Sequence, residues 1–539
     1  MTLDVYLLAD IFEAFRGVCL KEYHLDPVHF FSAPNLSWEG MLNTTKVELG
    51  LLSSIDMLQF CERAIRGGIN GIGALRHFKA NNNYMEDFDK SHSSVFGAFF
   101  DVTSLYAGTM QQPLPCGNYK WRNDLTIDDI PNADCFGGVG YFVEVDLEYP
   151  PHLHDYHNDL PLAPEKLQIK TEWLSDYAKS FGIPASRVAK LVETLFDKNF
   201  YICHFGNLKF YVEKGLTVKR LHRVLQFDQS CWLGNYISKN TALRKQAKTD
   251  FDKNFFKLLS NACFGKTMEN LRNRRQTKFL STEAEAKACT LKPTFLNFQI
   301  IHDSLVSVNF TQSSIFWNKP TPVGAAILDL SKIVLYKFHY NEMKPKFGDS
   351  LKVVYKDTDS LLYRIETDDL YSDMESFKHL LDLSDYPQNH KLFDSTNKKV
   401  PLTMKDELNG QIMLEATCLR SKLYSIKYES GIKQSAKGVQ KCVKKTLHHD
   451  LFNDVLYSRG NIRKNVTQIQ SQQHQLLVTQ INKIVMSAFD DKRFILEDGI
   501  QSFAYGHYSL EQTSTFCNVL FGSTEFSLGH YRLLSFNIV

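Results

Sequence analysis

No two of the eleven cysteines stand at CxxC spacing, and no histidine cluster at zinc-finger spacing accompanies them. A disulfide framework and a metal ribbon are therefore excluded, and the scatter suits a reducing interior. No uninterrupted apolar stretch reaches the roughly 18 residues of a membrane span. Asp4 and Asp10 interrupt the first apolar run, which fits no secretory signal. Internal repeats and low-complexity tracts are missing too. The expected state is a soluble, intracellular protein, nuclear or cytoplasmic, with no membrane partner. A charge excess is also lacking: 62 Lys and Arg stand against 60 Asp and Glu, a formal net charge of +2. Taken alone, that balance argues against a nucleic-acid partner.

What is present is ordinary globular composition, 43% hydrophobic and 23% charged, in 539 residues. That length supports about three or four domains. Leu7, Leu8, Ile11, Phe12, Phe15 and Leu20 lie near helical spacing in Leu3 to Tyr23, predicting an amphipathic helix. A helix starting almost at residue one, with no earlier element to pack against, is expected of an amino-terminally truncated chain. Ser94 to Tyr106 and Leu351 to Ile365 read as strands, Ser238 to Arg275 and Pro320 to Tyr340 as helical, and Ser281 to Lys292 as a surface excursion.

The sharpest local pattern is Val353-Val354-Tyr355-Lys356-Asp357-Thr358-Asp359-Ser360-Leu361-Leu362-Tyr363, two apolar half-strands around an acidic turn. Asp357 and Asp359 project to one side if the backbone is extended. Carboxylates this close repel and would gain protons unless a cation neutralised them, and magnesium binds such oxygens while leaving positions for phosphate. In Phe99-Phe100-Asp101-Val102-Thr103-Ser104-Leu105-Tyr106 a second acid ends a strongly apolar strand. If the two strands are neighbours, Asp101 and Asp359 form a two-metal pair; the bland alternative is an acid in an ordinary turn.

Residues 239–278 hold eleven Lys and Arg against three acids, an excess of +8, and residues 420–445 hold eight against Glu429 alone, +7. On a helix, Lys257, Asn261 and Phe264 share a face, offering a cation, an amide and an aromatic plate to a nucleoside triphosphate. The plainer alternative is a solvated charged helix. The rest of the chain sums to −13, so the near-neutral total is a cancellation between surfaces. DNA affinity that falls steeply with salt is expected despite it.

The motifs resemble family B DNA polymerases. Asp101 to Tyr106 is similar to the family's DxxSLYP, Lys257 to Gly265 to KxxxNSxYG, Tyr355 to Ser360 to YxDTDS, and Lys422-Leu423-Tyr424 to KxY. The protein-primed subgroup resembles it most, within it the polymerases of Polinton/Maverick-like mobile elements and linear plasmids. Leu7 to Phe12, Ile65 to Gly68, Leu153 to Asp155, Lys266 to Asn270 and Ala504 to Tyr508 carry that likeness.

The resemblance implies an α+β right-hand fold with an antiparallel palm sheet, helical fingers and a thumb. It implies Asp101, Asp357 and Asp359 as catalytic acids, with Asp101, the Val102 carbonyl and Asp359 holding two magnesium ions, manganese substituting. Ser104, Leu105, Tyr106, Arg244, Lys245, Lys248, Lys257, Asn261 and Phe264 would bind the deoxynucleoside triphosphate, Tyr106 as the gate against a 2′-hydroxyl. Arg66, Gly67, Gly68, Gly265, Thr358, Lys422 and Tyr424 would hold primed DNA. Ala107, Ala262, Phe264 and Ile65 depart from the motifs but remove no charged group. Of the proofreading acids only Asp4 aligns, so no 3′→5′ exonuclease activity is expected.

The implied division is 1–60 as a remnant of the exonuclease domain, 61–110 as linker and first palm strand, and 111–236 as an insertion that contacts a terminal priming protein. Fingers at 237–280, a second insertion at 281–320, palm at 321–430, thumb at 431–510 and an unassigned tail at 511–539 complete it. The alternatives are a catalytically silent relic that binds DNA or a priming protein, and, more weakly, a reverse transcriptase, whose turn places two acids side by side. His152, His154 and His157 are expected in a surface loop. Gly67 to Gly73 lacks the spacing of a dinucleotide loop.

Overall fold

The computed structural model describes residues 2–129, 134, 136–472 and 475–511, and the remainder of the unassigned tail lies outside the described residues. Its centre is a six-stranded sheet in the order Asn70–Ile72, Leu351–Asp357, Ser360–Glu366, Val95–Val102, Met404–Asp406, Leu381–Asp382. All neighbours run antiparallel except the last pair. The near-continuous apolar run of Val95–Val102 reflects burial on both faces. Phe96, Phe100 and Val102 share a core with Leu335, Tyr336 and Phe338, whereas Phe99 packs with Val354, Met413 and Ile426.

The first face is covered by helix Thr321–Lys337, buried on nearly every side. Against the second lies a four-stranded sheet ordered Gly431–Ala436, Leu423–Tyr428, Met413–Arg420, His77–Lys79. The approach is close: a Cβ at Gly97 would collide with the Met413 sulfur. Residues 111–236 build a further four-stranded sheet and the helix Phe205–Glu213, whose side chains enter the core that Phe96 and Phe100 of the central sheet share.

Helices Gly234–Gln246 and Asp250–Thr267 stand over one end of the central sheet, the second capped by Thr249 accepting from the Asp252 amide. The surface excursion is helix Glu283–Thr290 on a three-stranded sheet. Strand Arg275–Leu280 of that sheet pairs with Leu305–Thr311, across the 280/281 boundary, and Gly431–Ala436 pairs with Leu423–Tyr428 across 430/431.

Two expectations are corrected. Helix Thr2–Tyr23 forms, but Leu3, Leu7, Leu8 and Ile11 remain more than half exposed, while burial falls on Cys19 and Tyr23 at its far end. His154 and His157 are no surface loop: both are buried, with the Tyr149 hydroxyl 2.8 Å from His157 Nδ1 and the Tyr508 amide donating to His154 Nδ1 at 3.0 Å. Burial holds the His157 ring down at about 3, so it stays neutral. The nine described cysteines are all free thiols. Among the described residues no helix is long and apolar enough to cross a membrane.

Candidate active site

The antiparallel register brings the two acidic motifs together. Ser360 lies opposite Asp101, and the Val102 amide donates to the Asp359 carbonyl at 2.7 Å, so the acids end neighbouring strands. The turn between Leu351–Asp357 and Ser360–Glu366 is tight, the Asp359 amide donating to the Asp357 carbonyl at 2.5 Å. Thr358, at its tip, has φ +57°, a strained conformation for a β-branched residue. Gly68 packs under it: the Thr358 amide donates to the Ile69 carbonyl at 2.7 Å, and a Cβ on Gly68 would lie 2.5 Å from the Thr358 hydroxyl.

The three acids are not equivalent. Asp357 is taken: both its oxygens accept from Lys422 Nζ at 2.6 Å, and the Tyr355 hydroxyl donates to it at 3.1 Å. Asp101 and Asp359 have no ion pair among the described residues. Burial, reinforced by Asp359 and Glu407, pushes the Asp101 carboxyl up to about 8; burial and Asp357 push Asp359 up to about 6. The field of Lys257 reaches both acids and opposes the shift.

Asp101 and Asp359 line an open cleft of about 340 Å³ together with Ser104, Tyr106, Arg244, Lys245, Lys257 and Asn261. Arg244, Lys245 and Lys257 form no ion pairs among the described residues, so three free cations face two free carboxylates. Phe264 stacks on Tyr106, with ring centroids 4.7 Å apart and planes 18° from parallel. Burial, reinforced by Asp359 and Asp357, raises the Tyr106 hydroxyl to about 12, which keeps it neutral. Lys248 and Gly265 are exposed but do not line the cleft. Tyr424 packs on Tyr355 at 4.7 Å, beside the acids rather than across from them.

Arg66 corrects the expectation of a DNA contact. Its guanidinium is turned inward, 3.9 Å over the Tyr201 ring and donating to the Ile202 carbonyl at 2.5 Å. At 7% exposure it braces the segment from beneath, leaving Gly67 exposed and Gly68 half-buried against Thr358. Sequence reasoning also missed Lys399, Lys405 and Asp385 on the cleft wall, and Lys433, which lies 5.2 Å from the Phe99 ring and pairs with Glu407. Their proximity rests on strand pairing that no local pattern announces.

Two unpaired carboxylates at one strand edge suit a hard divalent cation that keeps positions for substrate oxygens. Among the described residues no three His, Cys, Asp or Glu gather as a metal site. A pH signature follows. Both acids bind protons more tightly folded than unfolded, so their stabilising effect is complete below the ordinary Asp value of 3.8 and lost as pH rises through about 6 and about 8. Without divalent cations stability, read as melting temperature, should fall from about pH 4 and level off above about pH 8, at up to about 1.4 kcal/mol per pH unit per carboxyl, Asp359 contributing up to about 6 and Asp101 up to about 8. Magnesium should restore it at the alkaline end only. Thermal melts in which magnesium has no effect near pH 8.5 would remove the metal assignment.

Comparison with known proteins agrees with this geometry. The family model described as DNA polymerase type B, organellar and viral, matches residues 1–345. No curated protein matches the chain. Among solved structures it is similar to phi29 DNA polymerase complexed with primer-template DNA and incoming nucleotide substrates, at 14% identity and TM-score 0.52, covering 85% of this chain and 68% of that one. The orthorhombic crystal form of phi29 DNA polymerase gives 13% identity, TM-score 0.53 and coverage of 85% and 68%. The same polymerase complexed with single-stranded DNA gives 14%, 0.51, and 87% and 70%. The likeness shows the right-hand fold.

Proposed function

This chain belongs to the organellar and viral type B DNA polymerases, and we propose from that premise that its cleft adds deoxynucleotides to a primer 3′-hydroxyl under the direction of a DNA template. The observation that carries the reading is the pair of unpaired carboxylates, Asp101 and Asp359, facing the unpaired cations Arg244, Lys245 and Lys257 across one cleft. Acids alone make a metal site and cations alone an anion site; opposed, they fit a metal-bound triphosphate.

Asp101, Asp359 and the Val102 carbonyl would hold two magnesium ions, which when bound supply activation of the hydroxyl and neutralisation of developing phosphate charge. Lys257, Arg244 and Lys245 take phosphate oxygens, with Lys248 in reserve at the rim. Tyr106, held flat by Phe264, sits under the sugar, and Asn261 faces the nascent pair from the same helix. Lys422 is fixed by Asp357 and, with Tyr424, holds the primer terminus. Gly67, Gly68 and Thr358 form the template floor, with Gly265 above. The subgroup likeness of Leu7 to Phe12 and Ala504 to Tyr508 supports a terminal priming protein as partner and a mobile or virus-like linear DNA as the replicated element. The division into fingers, insertions, palm and thumb is proposed at the boundaries given above.

Gly68→Ala should lower extension by about 100-fold, because a displacement of about 1 Å at the acidic turn spoils alignment of the reacting atoms, while the fold persists. Steady-state extension beside a thermal melt checks this. A DNA primer should be extended on a DNA template and not on RNA; extension on RNA alone would replace this reading with an RNA-templated one.

A further inference from the structure

The cleft has a second wall that the motifs do not predict. Lys405 lies directly opposite Asp101 in the sheet, so the two side chains emerge on one face from adjacent strands. Its ammonium does not reach Asp101 but pairs with Asp385. Lys399, on the same wall, has no ion pair or hydrogen bond at its ammonium among the described residues.

This wall is built, not incidental. Asp382 is 4% exposed, and its carboxylate accepts from the Ser384 amide at 3.1 Å and the Lys399 amide at 2.8 Å, stapling both ends of the loop between them. Asn397 donates to the His379 and Leu381 carbonyls at 2.9 Å. The Leu402 amide donates to the Thr103 carbonyl at 2.9 Å, fastening the loop to the segment that follows Asp101. Lys399 takes a left-handed φ of +55° at the second staple.

The geometry points to a palm-side phosphate subsite: Lys405 and Lys399 take oxygens of the triphosphate tail and of the departing pyrophosphate, opposite the finger cations. This deepens the polymerase reading and rests on it. Asp385 is the resting partner of Lys405. Their side chains are 51% and 32% exposed, and a solvent-exposed pair is held weakly enough to be exchanged for a more highly charged phosphate. No bond is made or broken in that exchange.

The test measures binding of inorganic tripolyphosphate by calorimetry, and KM and kcat for dNTP, in wild type, Lys405→Ala, Lys405→Arg and Asp385→Asn. Lys405→Ala should weaken tripolyphosphate binding and raise KM by about 10-fold each, and lower kcat as well because the departing pyrophosphate loses a cation, with the affinity for primed DNA within about twofold. Lys405→Arg should recover most of these losses. Asp385→Asn should tighten tripolyphosphate binding, because the resting partner is gone. Wild-type affinities in Lys405→Ala, or an Asp385→Asn variant as impaired as Lys405→Ala, would overturn the subsite, the latter by showing that the pair only supports the loop. If wild type binds tripolyphosphate through Lys405 but never extends a primer, the subsite stands and the polymerase reading fails. If it extends normally with Lys405 indifferent, the reverse holds.

Discussion

Replacing Asp359 by alanine is expected to reduce template-directed extension by on the order of 1000-fold or more, leaving the affinity for primed duplex within about twofold. The reason lies in the inequality of the three acids. Asp357 is neutralised by Lys422, so its carboxylate cannot stand in for the lost one without surrendering that pair. Asp101 alone would be a single buried carboxylate: without the repulsion of Asp359 it falls from about 8 and ionises more readily, but one acid cannot hold the pair of cations that two acids hold. Duplex binding should survive because it depends on surface cations distributed over residues 239–278 and 420–445, not on the buried pair. Asp357→Asn, by contrast, should act through Lys422 and weaken the hold on the primer.

The second large effect is on sugar choice. Tyr106→Val should admit ribonucleotides, lowering discrimination by about 10- to 100-fold, with dNTP incorporation reduced far less. Tyr106 is fixed from one side by the Phe264 ring at 4.7 Å, and Ser104, at φ +52°, turns the chain sharply just before it. The ring therefore cannot swing away from a 2′-hydroxyl. Valine removes the plate and leaves room for the extra oxygen. Competition between dCTP and CTP opposite a templating guanine measures this, and unchanged discrimination would remove Tyr106 from the gate. Phe264→Ala should loosen discrimination in the same direction but less, since it takes away only the backing of the ring.

The acids were legible in the sequence because their signal is local. An apolar strand that ends on Asp101 and a hairpin tipped by Asp357-Thr358-Asp359 announce themselves within about ten residues each, and both strands are buried as such runs imply. Helices Asp250–Thr267 and Thr321–Lys337 were legible for the same reason. Lys405 was not. Its place beside Asp101 depends on pairing between segments roughly 300 residues apart, and nothing in Met404-Lys405-Asp406 reveals the partner. Arg66 shows the converse: the residue type was read correctly as a cation beside two glycines, but which way it faces is decided by Tyr201 and Ile202, far along the chain. Helix Thr2–Tyr23 follows its periodicity, whereas which of its residues are buried depends on contacts such as Phe15 with Phe255, 5.0 Å between centroids.

The central claim is that the opposed carboxylates and cations perform nucleotidyl transfer. Single-turnover incorporation tests it most directly: purified full-length chain, a DNA primer annealed to a DNA template, magnesium, and one dNTP at a time. The expected result is addition of one nucleotide only when it pairs with the templating base, lost in Asp359→Ala. A protein that binds the primed template tightly yet adds no nucleotide with magnesium or manganese would contradict it.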